Sequence, residues 1–396
     1  MPLYASTPAF VSSSRTGTPI DIGRRVPPST SALPSRLQPR SLESTPPMQP
    51  SPEASPSPAS LQRLYGLDAS MLVAMILDKR GQDASLLLQQ QLKSGGPDKQ
   101  NEIYDAVRRH LLCLAQDRHG NFLVQRTIEA RPQTAWDLSG SFVDLTLSQF
   151  GSHVVQKILE GDEKIREQVA EELMGAKLEQ TLTSRNSIHV WQRILEAEWR
   201  RGEFRERIFA SINAQLAGKW AQTARQETGS IICQNIFESA HEDEKRPCMH
   251  EVLDELDRCA SNQWGVWVVQ HIIEHGTDED RKAALRKLLG SAATLALSPY
   301  GQKAIMSGLK TRDPFFVEEF VSALCQSSGA RRPPLIDVCL SPHGIQIVTQ
   351  LLTTVRQEIR DRIISTVRRN SVFLKGSKTG MKVHQLCERA RAFAGY

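Results

Sequence analysis

One phrase recurs eight times in this 396-residue chain, and its spacing constrains the fold more than any other feature. Each copy opens on a small residue, usually Gly, runs through five residues usually ending in Gln, and closes on an apolar pair often followed by Glu. His119-Gly-Asn-Phe-Leu-Val-Gln-Arg-Thr-Ile-Glu129 and Trp264-Gly-Val-Trp-Val-Val-Gln-His-Ile-Ile-Glu274 are two of them. From Gly120 through Gly151, Ser187, Gly229, Gly265, Gly301 and Gly344 to Gly380, the intervals are 31, 36, 42, 36, 36, 43 and 36 residues. A period near 36 over eight copies calls for stacked helical units, each burying its apolar face against its neighbours. An all-α solenoid is the expectation.

A helix turns about 100° per residue, so the first, second and fifth residues after the head fall on one face. The third, fourth, seventh and eighth fall on the other, which is the expected core. In the second copy these are Val154, Val155, Ile158 and Leu159, and in the fifth Val268, Val269, Ile272 and Ile273. Of the 32 such positions only Thr127, Gly308, His384 and Glu388 are not apolar, and two of these lie in the last copy, as expected of a terminal cap.

The opposite face carries Asn121, Phe122 and Gln125, then Ser152, His153 and Gln156, with Ser230 and Gln234 in the fourth copy. Gln recurs at the fifth position as Gln125, Gln156, Gln192, Gln234, Gln270 and Gln385, where a solenoid core has no use for an amide. An amide and a small polar group one helical turn apart can hydrogen-bond the edge of a planar base while the residue between them stacks on its face. That reading gives one base per unit. The competing reading is a solvated surface, or amides laddering with one another between units.

The register of eight phrases resembles the Pumilio homology (PUF) family of RNA-binding domains, over about residues 61 to 396. Glu227-Thr-Gly-Ser230, Asn235-Ile-Phe-Glu238, Asp243-Glu-Lys-Arg-Pro-Cys248 and Gln270-His-Ile-Ile-Glu-His-Gly276 bring it nearest to the fungal branch. The resemblance implies a right-handed crescent of eight three-helix repeats with terminal caps, binding single-stranded RNA antiparallel to the chain at one base per repeat. It also implies a code. Asn121 with Gln125 resembles the pair that reads uracil, and Ser152 with Gln156 and Ser230 with Gln234 resemble the pair that reads adenine. Phe122, His153, His189, Trp267, Lys303 and Lys382 stand where the family stacks bases.

The remaining copies depart from that code. Ile188 and Val266 leave the third and fifth copies one amide each, Gln192 and Gln270. The sixth offers Gln302, Lys303 and Met306, the seventh Ile345, Gln346 and Thr349, the eighth Met381, Lys382 and Gln385. None matches the Asn/Gln or Ser/Glu pairs with which typical members read a 5′ UGU. Charge bears on what these copies still do. Residues 331 to 396 hold 12 Lys and Arg against four acids, a local +8 where the whole chain is +5. Phosphate attraction would supply salt-sensitive affinity there, or the charge is a solvated outer surface.

Residues 1 to 60 contain 13 of the 21 Pro and no Lys, and few large apolar residues follow Phe10, the composition of a disordered tail. Leu61 to Leu111 lacks the Gly-headed phrase yet reads as helices, the expected N-terminal cap. The long intervals place insertions near Arg200–Gly202 and at Ser327–Pro334, expected as loops between units.

Seven scattered Cys without a paired spacing, and no leader or membrane-spanning run, point to a reduced, cytoplasmic setting. His271-Ile-Ile-Glu274-His275 has the spacing of an inverted zinc-protease motif, but the repeat register accounts for it, since Glu129, Glu160, Glu196 and Glu238 occupy the same place as Glu274. No phosphate loop or nucleophile elbow occurs, so neither an enzyme nor a cofactor is called for. The function expected is sequence-selective binding of mRNA in its 3′ untranslated region, controlling translation or stability, with decay or repression proteins on the convex face. The alternatives are a protein scaffold that has lost base readout and an rRNA-binding ribosome-assembly factor.

Overall fold

The computed structural model describes residues 64–327 and 332–393; the expected tail of residues 1 to 60 lies outside them. Among the described residues all regular structure is helical. Each unit opens with a short helix, continues into the helix that carries the phrase, and in most cases returns along a third. Unit two shows the plan: Phe142–Leu147, Gly151–Ile158 and Glu163–Leu173. Units four, five and six repeat it, with phrase helices Glu227–Ser239, Gly265–His275 and Gly301–Lys310. In unit one the third helix shrinks to a 3-10 segment, Pro132–Leu138, which explains the interval of 31.

The phrase helices pack in one continuous row from Gln82–Ser94 at the N-terminal side to Lys378–Phe393. The third helices of units three to seven form a second row. The long interval after Ser187 has two sources, an extended stretch at residues 197–201 and a third helix of 15 residues, Gly202–Leu216. That insertion lies inside unit three rather than between units, a correction to the sequence expectation. The second insertion does lie between units, ahead of Pro334–Leu340, and residues 328–331 of it are outside the described residues.

The small head residue has a steric cause. The short helix folds back so tightly that a Cβ on Gly265 would stand 2.6 Å from the carbonyl oxygen of Cys259, six residues earlier. Unit three keeps the same approach with Ser187, whose hydroxyl donates to the carbonyl of Thr181, again six residues back. A hydrogen bond there accommodates the extra atoms that would otherwise collide.

Two exceptions in the core pattern resolve equally simply. Thr127 is buried with its hydroxyl donated to the Leu123 carbonyl at 2.7 Å, and Gly308 leaves room for the Phe316 ring, 2.8 Å from where its Cβ would be. His384 and Glu388 are half-buried, as a terminal position predicts.

Ion pairs stitch the outer row. Arg205 of unit three grips Glu244 of unit four through one nitrogen at 2.6 and 2.7 Å and donates to the Ser239 carbonyl at 2.8 Å. Arg246 of unit four grips Asp280 of unit five with two bonds of 2.7 and 2.9 Å. Burial works against the Asp280 charge, but the bonds from Arg246 and Thr277 outweigh it and hold the carboxyl below its usual range. Asp243–Cys248, one of the four segments nearest to the fungal branch, thus belongs to the scaffold.

Candidate nucleic-acid interface

Register along the phrase helices is constant, so each position can be read across the row. In units one to six the first residue after the head is buried in the packing of the row, whereas Ile345 of unit seven is half-buried and Met381 of unit eight exposed. Asn121, Ser152 and Ser230 are only 1%, 3% and 0% exposed, and Ile188, Val266 and Gln302 are buried at the same place. This corrects the helical-wheel expectation of an open face shared by the first, second and fifth positions. A wheel describes one helix; in a stacked row the edge at the first position meets a neighbour. Gln302 shows it directly, donating its amide to Gln346 of the next unit.

These buried polar groups are satisfied within the fold. Asn121 Nδ2 donates to the carbonyls of Asp117 and Arg118, both at 2.9 Å. Ser230 Oγ donates to the Glu227 carbonyl at 2.8 Å, and Ser152 Oγ reaches the Gln149 carbonyl at 3.4 Å.

The surface of the row belongs to the second and fifth positions. Gln125, Gln156, Gln192, Gln234 and Gln270 are half-buried and Gln385 is exposed. In unit one Gln125 Nε2 donates to Asn121 Oδ1 at 3.0 Å, so the buried amide fixes the direction of the accessible one. Gln234 Nε2 is held by the Ser230 backbone carbonyl at 2.9 Å, whereas Gln192 Nε2 turns along its own helix to Glu196 at 2.9 Å. At the second position Phe122 and His153 are half-buried and His189 is exposed. Burial, with a smaller contribution from His189, lowers the pKa of His153, which favours a neutral planar ring. Ile231 of unit four, not singled out from sequence because it is neither aromatic nor long, occupies the same place.

From unit five onward the arrangement changes. Gln270 Nε2 donates to Ser307 Oγ of unit six at 2.8 Å, and that hydroxyl donates to Glu274 at 2.8 Å. With the Gln302–Gln346 bond, units five to seven realise the ladder between units that sequence set against base contact. Ser307, Glu274 and Gln346 therefore belong to this polar network, Ser307 as a buried link, and the signal for them was the polar residue one turn away in the next copy. Trp267 and Lys303, expected as separate stacking platforms, lie against one another: the ammonium sits 5.1 Å from the indole centroid and 6.0 Å from Tyr300. Lys382 and Gln385 line an open pocket of about 430 Å³ with Lys375, Lys378 and Met381.

Of the basic C-terminal residues, Arg360, Arg362, Arg368 and Arg369 lie on the third helix of unit seven, Gln357–Arg369, where Arg362 pairs with Glu318 at 2.7 Å and Arg368 with Glu388 of the last phrase helix at 3.4 Å. Among the described residues no three His, Cys, Asp or Glu stand together as metal ligands. His271 Nε2 instead faces Glu238 Oε1 at 3.3 Å. The Cys259 and Cys387 thiols are pushed up to about 12, chiefly by burial, which suits packing rather than nucleophilic chemistry.

The Pumilio-family RNA binding repeat model matches residues 110–133, 141–174, 219–253 and 258–289, which fall in units one, two, four and five. Two fission-yeast (Schizosaccharomyces pombe) proteins align over 81% of the chain: Meiotic coiled-coil protein 2 at 31% identity and Meiotic PUF family protein 1 at 30%. The solenoid is a divergent Pumilio homology domain. The chain spans about half the length of these two relatives, 46% and 56%. Among solved structures the Pumilio fold recurs in PUF-8 in complex with PBE-RNA, at a TM-score of 0.70 and 20% identity over 84% of this chain and 99% of that one. It recurs too in the Puf4 RNA binding domain bound to an HO endonuclease RNA 3′ UTR recognition sequence, at 0.66 and 19% over 79% and 97%. The Pumilio repeats left unmatched, units three and six to eight, are among those whose first and fifth residues depart from the family pairs.

Proposed function

We propose that the domain binds single-stranded RNA with sequence selectivity and acts on mRNA in post-transcriptional control, in the cytoplasm. The carrying observation is the row of paired second and fifth residues in units one to four, each a planar or apolar platform beside a half-buried amide. Base readout is concentrated there, because the amides Gln270, Gln302 and Gln346 of units five to seven are engaged in bonds between units. The lysines at the end of the row, Lys375, Lys378 and Lys382, supply attraction to phosphates beside those units. That Pumilio domains of similar fold are seen in complex with RNA supports the ligand class. The outer row is left for protein partners of the decay or repression machinery.

Fluorescence anisotropy with labelled single-stranded RNA, duplex RNA and DNA tests this reading. Single-stranded RNA should bind tightest, with affinity falling as salt rises. Equal and weak binding to all three at physiological salt would replace it with the scaffold reading.

A further inference from the structure

We infer that the N-terminal helices are a ninth member of the row and that Ser85, Leu86 and Gln89 form a ninth nucleobase site, a conclusion that rests on the RNA-binding reading above. Searched for Gly heads, this region is only a cap. In the structure its helices Ala69–Met75, Gln82–Ser94 and Pro97–Arg109 follow the short, phrase and third plan of the units that succeed it, and Gln82–Ser94 packs beside the phrase helix of unit one.

The register is then visible. Ala84-Ser-Leu-Leu-Leu-Gln-Gln-Gln-Leu92 aligns with Gly120-Asn-Phe-Leu-Val-Gln-Arg-Thr-Ile128 when Ala84 takes the head, 36 residues before Gly120. Burial follows the same order. The head and the first, third, fourth and eighth positions are buried, the second and fifth half-buried, and the sixth exposed, in both helices. The close approach here stands at Gly81, three residues before the Ala84 head, where a Cβ would collide with Ile76 just after the short helix.

Polar contacts repeat as well. Gln89 Nε2 donates to Ser85 Oγ at 3.0 Å, as Gln125 Nε2 donates to Asn121 Oδ1 at 3.0 Å in unit one. Ser85 Oγ donates onward to the His119 carbonyl of unit one at 2.8 Å, joining adjacent units from the first position as Gln302 does. A buried first residue thus orients an accessible fifth amide, and Leu86 supplies an apolar platform at the second position. The pair is Ser with Gln, the same as in units two and four, so it takes the base those units take, adenine by the family code. With RNA antiparallel to the chain, this base lies immediately 3′ of the one at Asn121 and Gln125.

The test uses the full chain and single-stranded RNAs of sequence 5′-ANAUX-3′ within a constant flank, X being each of the four bases, in competition anisotropy. The wild type should prefer adenine at X by about tenfold. Gln89→Ala should flatten that preference while leaving selectivity at the U position intact, and Ser85→Asn should move it toward uracil. A wild type that selects U but is indifferent at X overturns the ninth site and leaves the RNA-binding reading standing. Absence of RNA binding overturns both. If a variant fails to fold by circular dichroism, the wild-type preference at X still decides.

Discussion

Asn121 illustrates how a residue can serve the proposed recognition without offering surface to the ligand. Its amide hydrogens are given to two backbone carbonyls and its oxygen holds Gln125, so its length sets where the accessible amide stands. Asn121→Ser should therefore shift the base chosen at unit one from U toward A, a swing of about tenfold or more in relative affinity by competition binding, with Phe122 still available to stack. The pattern of small and amide residues was legible in sequence; the burial of the first was not, because it depends on a neighbouring helix that a single-helix wheel does not contain. His153 offers an independent check on the surface. Burial lowers its pKa, so as pH falls through 6.5 the unfolded chain takes up a proton before the folded one does. Stability is thus unaffected by this group above pH 6.5 and declines below it. The ring-proton resonance of His153 should titrate with a midpoint below 6.5, and a midpoint at or above that value would contradict the burial described.

Helices are where the sequence was most informative and also where it misled. The eightfold phrase fixed the second helix of every unit, since its apolar positions had to face one way, yet the reading missed the copy headed by Ala84 because it required a Gly or equivalent close approach at that spot. It also assigned the insertion near Arg200 to a junction between units, although the extra residues extend a turn and a third helix within one unit. Third helices carry no such phrase: beside the apolar residues they bury, such as Ile208, Val252 and Leu285, their charged groups find partners that lie a repeat away. Arg246 and Asp280 are the clearest case. Asp280→Asn should lower unfolding free energy by about 2 kcal/mol, less than for a fully enclosed pair because Arg246 remains a third exposed and retains Glu242. Lys287→Ala, which removes an exposed pair with Asp254 at 3.4 Å, should change it by less than about 0.5 kcal/mol. Chemical denaturation of the two variants compares them, and equal losses would show that the outer row is not clamped by its buried pairs.

Across the whole solenoid the two halves of the row are built for different tasks. Units one and four hold their fifth-position amides on buried first residues and unit three turns Gln192 along its own helix, whereas units five to seven engage Gln270 and Gln302 across the joints between units and stack Lys303 on Trp267. A period of 36 revealed the solenoid, and the loss of family pairs after unit four hinted at the division. Only the contacts between units explain it, because an amide that bonds its neighbour in the next repeat looks in sequence the same as one that faces a base. The most direct measurement of this division is selection of the full chain against a random pool of single-stranded RNA. The recovered sequences should share A, any base, A and U at four consecutive positions, 5′ to 3′, read by units four to one, with little preference on the 5′ side where units five to eight lie. A pool without a common element, or one whose informative positions lie on that 5′ side, would contradict the account.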